Sequence, residues 1–207
     1  MKPADIESLS FNIIESEAKN HNFTYDKWQI VRRMIHTSAD FEYLKSVRFS
    51  DNAVDLGIKA ILNGKTIVTD TQMALSGIRK KEITSLGGMV KCFINDEKVI
   101  FNAKKEGITR AKAAADMAAT HIKDGIFVVG NAPTALLRIL ELIKEKKAEP
   151  ALIIGLPVGF VNAAESKEAL ISSSFPHISN TGRKGGSNIA ASVINALIIM
   201  ALEKKGE

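Results

Sequence analysis

Two periodicities alternate along the chain, one typical of helices and one typical of strands. Over residues 3–21, apolar residues recur at spacings of three, four and one between charged residues, which predicts an amphipathic helix. The apolar positions are Ile6, Leu9, Ile13 and Ile14. A second helix is predicted to follow, with Thr24 or Asp26 as its cap and an apolar stripe from Trp28 to Ile35.

Four short runs rich in apolar and β-branched residues predict strands. They span residues 66–69, 89–94, 125–130 and 151–155. The last two runs are almost continuously apolar, as strands are when helices cover both faces of their sheet, and such burial is typical of parallel sheets. Between them a helical stripe begins at Pro133, a residue favoured in the first turn of a helix. This strand, helix, strand order predicts a parallel pair.

The C-terminal segment, residues 187–204, carries apolar residues around much of its helical circumference. Such a helix is buried broadly, either in the core or across a subunit interface, so the pattern is compatible with a homodimer. The chain contains no internal repeat and no long Pro/Gly/Ser linker, which predicts one domain over residues 1–207. The expected fold class is α/β, a three-layer α/β/α sandwich with a mostly parallel central sheet.

Composition narrows the class of protein. Apolar residues make up 45% and charged residues 25% of the 207, as in soluble globular proteins. The net charge of +5 is spread among nearly as many carboxylates and aromatic residues are only 6%, a pattern that argues against nucleic-acid binding and suits small anionic ligands. Cys92 is the single cysteine, so neither an intrachain disulfide nor a cysteine-rich metal site can form.

The location of the protein is expected to be cytoplasmic. The N-terminus lacks the apolar core of a signal peptide. The longest apolar stretches, near Ile153 and Ile198, are short and interrupted by Gly, Pro, Ser or Asn, so no membrane span is predicted.

Turns that follow the predicted strands are where we expect a ligand site, because an open α/β sheet binds ligands at the carboxyl ends of its strands. After the third strand, Asn131 and Thr134 lie at a helix start, where free amides and the positive end of the helix dipole attract an anion. Ordinary capping explains this turn equally well. After the fourth strand, capping is the favoured interpretation of Asn162 and Ser166.

The strongest signal for an anion site lies in residues 182–188. Arg183 supplies a planar fork for a carboxylate or a phosphate. Gly185 and Gly186 allow backbone amides to converge on an anion, just before Ser187 opens a long helix. The segment has neither the Walker spacing nor the Gly-x-Gly-x-x-Gly dinucleotide pattern. A flexible turn with a solvated arginine is the alternative.

Isolated charged residues are harder to assign. Arg110 begins an alanine-rich helix and Arg79 follows a Gly-Ile pair, and a lone arginine is more often a surface charge than a ligand clamp. His36 lies near a helix C-terminus, where the dipole favours its protonated form; it is suited to proton transfer, but a lone histidine is more often a packed or surface residue. No histidines stand at metal-ligand spacing and no Ser-His-Asp order emerges, so neither a metal site nor a triad is predicted.

Six segments, taken together and in this order, resemble the precorrin-8X methylmutase family. They are Ser10–Ile14, Val31–His36, Thr109–Ala111, Gly130–Leu136, Pro157–Leu170 and Gly182–Ser187. Each is weak alone, but the combination is specific and the resemblance runs along nearly the whole chain. The chain departs from the family pattern at Ser38–Ala39 and at Asn162, where glycine is common, which bears on local pocket shape.

The resemblance implies an isomerase of cobalamin biosynthesis that needs no cofactor. Such an enzyme moves a methyl group from an alpha carbon of pyrrole ring C to the adjacent beta carbon by a 1,5-sigmatropic shift. The substrate is precorrin-8X or cobalt-precorrin-8, and the product is hydrogenobyrinic or cobyrinic acid. The resemblance also implies a homodimer.

The family's catalytic histidine falls on His36, its arginine on Arg110 and its N-terminal serine on Ser10, so His36 is the expected general acid. The full set of expected substrate-binding residues is Ser10, Arg79, Arg110, Asn131, Thr134, Asn162, Arg183, Gly185, Gly186 and Ser187. No metal ligand is expected.

Two other functions are compatible with the same residues. A non-catalytic corrinoid carrier would use the same cationic and apolar groups to hold a tetrapyrrole for another protein. An enzyme acting on nucleotides or sugar phosphates would use residues 183–187 as a phosphate cradle, although neither common phosphate fingerprint is present.

Overall fold

A computed structural model describes residues 3–206 and builds them around one six-stranded sheet. The strands are β1 (Val47–Phe49), β2 (Ile67–Thr69), β3 (Val90–Lys91), β4 (Ile126–Val129), β5 (Leu152–Gly155) and β6 (His177–Asn180). Their order across the sheet is β1-β6-β5-β4-β2-β3. Only the edge pair of β1 and β6 is antiparallel within this sheet, so the predicted mostly parallel sheet is confirmed.

Helices connect and cover the strands. In chain order they are α1 (Pro3–Glu17), α2 (Tyr25–Ser38), α3 (Tyr43–Ser46), α4 (Ala53–Leu62), α5 (Gln72–Gly77), α6 (Lys80–Ser85), α7 (Glu97–Glu106), α8 (Arg110–Ala119), α9 (Pro133–Lys144), α10 (Ala163–Ile171) and α11 (Ser187–Gly206). Buried residues of α2, α4 and α11 form one core with one face of the sheet, and those of α8, α9 and α10 form another with the opposite face. The three-layer α/β/α sandwich is therefore confirmed.

Strand β4 shows why its sequence is continuously apolar. Ile126 and Val128 belong to the core on the α11 side, whereas Phe127 and Val129 belong to the core on the α9 side. Successive side chains of a strand point to opposite faces of the sheet. When helices cover both faces, every side chain of the strand is buried, and apolar residues are favoured at each position.

Helix α11 is buried inside the chain itself. Its length and hydropathy would suffice to cross a membrane, but 67% of its apolar 18-residue stretch is buried within the protein. It packs against α2, α4 and α5 and against β4 and β5. A core position therefore accounts for its apolar circumference, and this helix gives no support to a subunit interface.

The structure differs from the predicted elements where long-range contacts determine the bounds or the presence of a helix or strand. Helix α1 ends at Glu17 rather than near residue 21, and β3 keeps only two of the six residues predicted for it. Strand β6 was not predicted because three of its four residues are polar, although all four are buried. Its buried hydroxyl on Ser179 donates to the carbonyl of Gly155 at 2.6 Å, which removes the cost of burial. Strand β1 was also missed.

Gly130 provides a test of how closely the sheet and α11 approach each other. A Cβ at this position would lie 2.6 Å from Cα of Ser187, a backbone atom that cannot move aside without shifting α11. We expect Gly130→Ala to lower the free energy of unfolding by about 1–3 kcal/mol, measured by urea denaturation. Gly206→Ala is the control, because a Cβ there meets no atom within 4 Å. Equal stability of the two variants would contradict this account of the contact.

Candidate active site

The sheet has a topological switch point between β2 and β4. The chain leaves β2 for β3 on one side and then returns to β4 on the other. In open α/β sheets, ligands bind outside the carboxyl ends of the strands at such a point. The segments that follow the parallel strands meet there, and we call this region the carboxyl edge. These segments are residues 70–71, 130–132, 156–162 and 181–186.

Asp70, the first residue after β2, is buried at the centre of the carboxyl edge. Its carboxylate accepts hydrogen bonds from the backbone amides of Gly130 (2.9 Å), Asn131 (2.8 Å) and Ala132 (2.8 Å). Burial raises the pKa of Asp70, and the three amide bonds oppose that rise. The acceptor at the start of α9 is thus a side chain of the protein, and the amides of residues 130–132 are not free to bind a ligand as predicted. The side chain of Asn131 remains exposed.

The turn between β6 and α11, residues 181–186, is pressed against the segment after β5. A Cβ on Gly185 would lie 2.3 Å from the carbonyl oxygen of Leu156, so a larger residue does not fit. The amide of Gly186 donates to that same carbonyl at 2.9 Å, so it is not free to bind an anion as predicted. Ser187 is buried, and its hydroxyl lies 2.8 Å from the hydroxyl of Thr71.

The two cations of this turn have different surroundings. Lys184 forms ion pairs with Asp40 (2.5 Å) and Glu42 (2.8 Å), which raise the pKa of Lys184 and join the turn to the segment after α2. Arg183 is exposed, and its guanidinium carbon lies 5.4 Å from the ring centre of Phe160. Since no carboxylate of the described residues forms an ion pair with it, Arg183 is the cation of this turn that can receive a carboxylate from a ligand.

Arg110 and Thr134 are brought together by the contact between α8 and α9. The hydroxyl of Thr109, the N-cap of α8, accepts from the amide of Lys112 at 3.1 Å and donates to the hydroxyl of Thr134 at 3.0 Å. This bond sets the exposed first residue of α8, Arg110, beside the first turn of α9. Arg110, Asn131 and Thr134 therefore form one polar group on the α9 side of the carboxyl edge.

His36 and Ser10 line a shared cavity of about 330 Å³, which we call the bowl. Its other walls are Ile13, Ile14, Ile35, Ala39 and Phe41. His36 is exposed, and its ring centre lies 5.0 Å from that of Phe11. An exposed imidazole surrounded by apolar walls suits a flat ligand that carries a polar atom at its rim.

The bowl is joined to the carboxyl edge through Lys184, because the residues that pair with it follow directly after α2. Turn 181–186 lies next to the bowl on one side and, through the contact of Ser187 with Gly130, next to the start of α9 on the other. The predicted residues thus form three adjacent groups: Ser10 with His36, turn 181–186, and Arg110 with Asn131 and Thr134.

Arg79 lies apart from these three groups, and Asn162 does not cap its helix as expected. Arg79 forms an ion pair with Glu82 at 2.6 Å, and its backbone amide binds Asn195, two turns into α11. No hydrogen bond or ion pair among the described residues joins Arg79 to the bowl or to turn 181–186. Asn162 occupies the N-cap position of α10, but its side chain makes no capping bond.

Both departures from the family's glycine pattern fall where the backbone is left-handed. Ala39 closes α2 with φ of +54°, and Asn162 precedes α10 with φ of +59°. Glycine adopts such dihedral angles without a steric cost, and asparagine tolerates them better than most residues do. The backbone shape that glycine would permit is therefore retained here by other residues.

Two buried side chains of the site were missed by sequence reasoning. They are Asp70 and Lys167, and the pattern of residues around them offers little signal. Asp70 directly follows a predicted strand, and Lys167 directly follows Ser166, for which the sequence indicates only helix capping. Their roles depend on partners that lie 60 and 13 residues further along the chain. Among the described residues, no group of three or more His, Cys, Asp or Glu is arranged to hold a metal ion.

Known proteins share both the sequence and this architecture. The family model of precorrin-8X methylmutase matches residues 5–200. The chain is 47% identical to the cobalt-precorrin-8 methylmutase of Priestia megaterium over 97% of this chain and 89% of that protein. It is 36% identical to the precorrin-8X methylmutase of Pseudomonas aeruginosa over 91% of each. A solved structure of precorrin-8X methyl mutase from Thermus thermophilus superposes with a TM-score of 0.90, 41% identity and 97% coverage of both chains.

An α/β sandwich with a topological switch point and an exposed imidazole in an apolar bowl is typical of enzymes that act on small molecules. Within that class, the chain belongs to the precorrin-8X methylmutase family, whose members are isomerases. The resemblance drawn from the six sequence segments is confirmed.

Asp70 provides a test of how the carboxyl edge is held together. Asp70→Ala leaves three amide donors without their acceptor, and we expect it to lower the free energy of unfolding by about 2–5 kcal/mol, measured by urea denaturation near pH 7. The control is Asp116→Ala, which removes a partly exposed carboxylate paired with Arg138 and is expected to cost about 1 kcal/mol or less. A loss at position 70 no larger than that of the control would contradict the assignment.

Proposed function

We propose that this protein catalyses the migration of a methyl group within precorrin-8X or cobalt-precorrin-8, with His36 as the general acid. The observation that carries the proposal is the placement of the exposed His36 in an apolar bowl that Ser10 of α1 also lines, next to the turn that carries Arg183. Relatives named for this reaction, at up to 47% identity, support it.

A methyl migration within one molecule balances without a second reactant. The bond from the methyl group to the alpha carbon breaks as the bond to the adjacent beta carbon forms, and substrate and product are isomers. A proton, or a hydrogen bond, delivered to the pyrrolic nitrogen draws electron density from the migrating terminus and stabilises the rearranged tautomer. General-acid catalysis of this kind contributes about 10²- to 10⁴-fold in rate. The proton returns to His36 when the product leaves.

The carboxylate arms of the macrocycle give the cations of the site their role. Arg183, Arg110 and Asn131 all have exposed side chains, and ion pairs of Lys184 join the turn that carries Arg183 to the segment that lines the bowl. Each hydrogen bond between a charged group and a carboxylate contributes roughly 1.5–3 kcal/mol, so a few of them fix the orientation of the ring. Any cobalt travels inside the macrocycle as part of the substrate.

The proposal includes the domain organisation, the cellular location and the partner of the enzyme. The chain works as a single methylmutase domain in the cytoplasm, with the tetrapyrrole as its small-molecule partner. The alternative of a non-catalytic corrinoid carrier gains no support from the relatives, which are named as methylmutases. Mixing the protein with precorrin-8X separates the two: an enzyme produces the corrin chromophore, and a carrier leaves the absorption spectrum of the substrate in place.

Removal of the imidazole tests the catalytic assignment. We expect His36→Ala to abolish turnover of precorrin-8X while binding of hydrogenobyrinic acid remains measurable, since the walls of the bowl are unchanged. Turnover is followed by absorbance and binding by titration of the corrin spectrum. The matched control is His121→Ala, an exposed histidine that stacks on Phe93 away from the bowl. Undiminished turnover in the His36 variant would remove the assignment.

We also propose a homodimer formed through α1. This helix is fixed to α2 by its polar face: Glu7 pairs with Arg33 and Glu15 with Arg32, each at 3.0 Å. Both arginines also lie against the ring of Phe11, at 5.1 and 4.3 Å.

The apolar stripe of α1 is left facing outward. Ile6, Leu9 and Ile13 are each about half exposed, at 52%, 48% and 49%. A helix normally buries such a stripe, and a second copy of the chain, related by two-fold symmetry, offers the same stripe in return. Since Ile13 also lines the bowl, this contact would close the bowl on one side.

Charge placed on the stripe tests the dimer. We expect Leu9→Glu combined with Ile13→Glu to convert the protein to a monomer, because two carboxylates would be desolvated against their symmetry mates. The measurement is size-exclusion chromatography with light scattering. Phe101→Glu, on an exposed residue of α7, is the control and should leave the mass unchanged. A wild-type protein of monomer mass would contradict the proposal.

A further inference from the structure

Lys167 of α10 is a buried lysine with no acidic partner. Its side chain is fully buried, and Asp70 is the only other acidic or basic residue besides histidine that is buried to this degree among residues 5–206. No ion pair of the described residues involves Lys167. Burial of an unpaired ammonium group costs several kcal/mol, whereas an apolar side chain of similar length fills the same space without that cost.

The two hydrogen bonds of the Lys167 ammonium group go to turn 181–186 and to Asn180, the last residue of β6 before that turn. Its Nζ donates to the carbonyl oxygen of Lys184 at 2.6 Å and to the side-chain oxygen of Asn180 at 3.1 Å. The amide of Asn180 in turn donates to the carbonyls of Lys184 (2.9 Å) and Thr181 (3.1 Å). The side chains of Lys167 and Asn180 thus bind the carbonyls near the two ends of the turn, at Thr181 and Lys184.

The same turn has further contacts with three other segments. At its start, the amide of Thr181 donates to the carbonyl of Ser46 at 2.9 Å. The amide of Gly159 donates to the carbonyl of Arg183 at 3.1 Å, and the amide of Gly186 donates to Leu156. The side chain of Lys184 forms ion pairs with the segment after α2. The bond from Lys167 therefore fixes the carbonyl of the residue directly after the exposed Arg183.

We propose that Lys167 is a positioning residue for substrate binding: it holds turn 181–186 in the shape that presents Arg183 and places a positive charge beneath that turn, where it attracts carboxylate arms. This inference rests on the proposed function, since it takes the ligand to be a macrocycle with carboxylate arms. Lys167 does not itself touch the reacting atoms.

The hydrogen bonds of Lys167 and its positive charge can be separated by a change of pH. A neutral amine retains two N–H groups, which match the two oxygen acceptors, so the anchor needs no charge. Burial lowers the pKa of Lys167 to about 8. The positive charge is therefore present below about pH 8 and is lost above it. We expect both hydrogen bonds to persist, because the neutral amine keeps one N–H for each acceptor.

The charged groups around Lys167 do not share this behaviour. On α10 itself, Glu165 and Glu168 are exposed. On the turn, Arg183 is exposed, and Lys184 is held by its two carboxylates with its pKa raised. On α9, Arg138 is paired with Asp116 and Glu141, which raise its pKa, and β6 contributes only His177, at its opposite end.

The test is a pH series of corrin binding by the intact protein. Hydrogenobyrinic acid, which carries the carboxylate arms, is titrated against wild type, Lys167→Met and the surface control Lys144→Met at about pH 7 and about pH 9.5. The methyl ester of the same corrin, which has no carboxylates, serves as the ligand control. Turnover of precorrin-8X at both pH values gives KM and kcat.

We expect wild type and Lys144→Met to bind the acid more weakly at the higher pH, by roughly three- to tenfold, and to bind the ester equally at both. Lys167→Met is expected to bind the acid weakly at both pH values, with KM raised and kcat retained. If that variant does not fold, the comparison of acid and ester on wild type still decides the role of the charge.

Binding of the acid by wild type that does not change with pH, or a Lys167→Met variant that retains the wild-type pH dependence, would overturn the inference and leave the proposed function intact. A wild-type protein that neither binds the acid nor converts precorrin-8X would overturn the proposed function, and the inference with it.

Discussion

The arrangement of the site depends on one close contact, between the end of β4 and the start of α11. Gly130 has no side chain, so the backbone of Ser187 approaches it, and a Cβ at this position would lie 2.6 Å from Cα of Ser187. Asp70 holds the same turn from the other side by accepting three backbone amides. Together these contacts bring the segments after β2, β4 and β6 to one edge, and the cationic turn and the start of α9 are neighbours for that reason.

The fold could be predicted from sequence wherever burial on two faces leaves a mark on the residues. Strands β4 and β5 are apolar throughout because both faces are covered, and α9 between them begins at a proline. Strand β6 leaves no such mark, since the polar residues it buries are satisfied by partners elsewhere in the chain, such as the carbonyl of Gly155. Pairing at the edge with β1 is likewise a long-range property.

At the candidate site, the sequence indicates the exposure of side chains better than it indicates which backbone groups are free. Arg183 and Arg110 are exposed, as a ligand clamp requires, and His36 lies in an apolar setting. The amides offered by Asn131 and Gly186 are occupied, because the carboxylate and the carbonyl that bind them come from segments distant in sequence. A motif shows which residues are present, but only the fold shows which of their polar groups are already satisfied.

The attachment of α1 has a consequence for the response of the enzyme to ionic strength. The contacts that hold its polar face to α2 are two ion pairs and the cation–π contacts of Phe11, and the ion pairs are partly exposed to solvent. Dissolved salt screens such pairs, whereas apolar packing of the kind that holds the sheet and α11 is strengthened by excluded salts such as sulfate. Concentrated electrolyte therefore weakens the ion pairs that set the angle of α1, while the helix itself is retained by Ile14, which is buried in the main core.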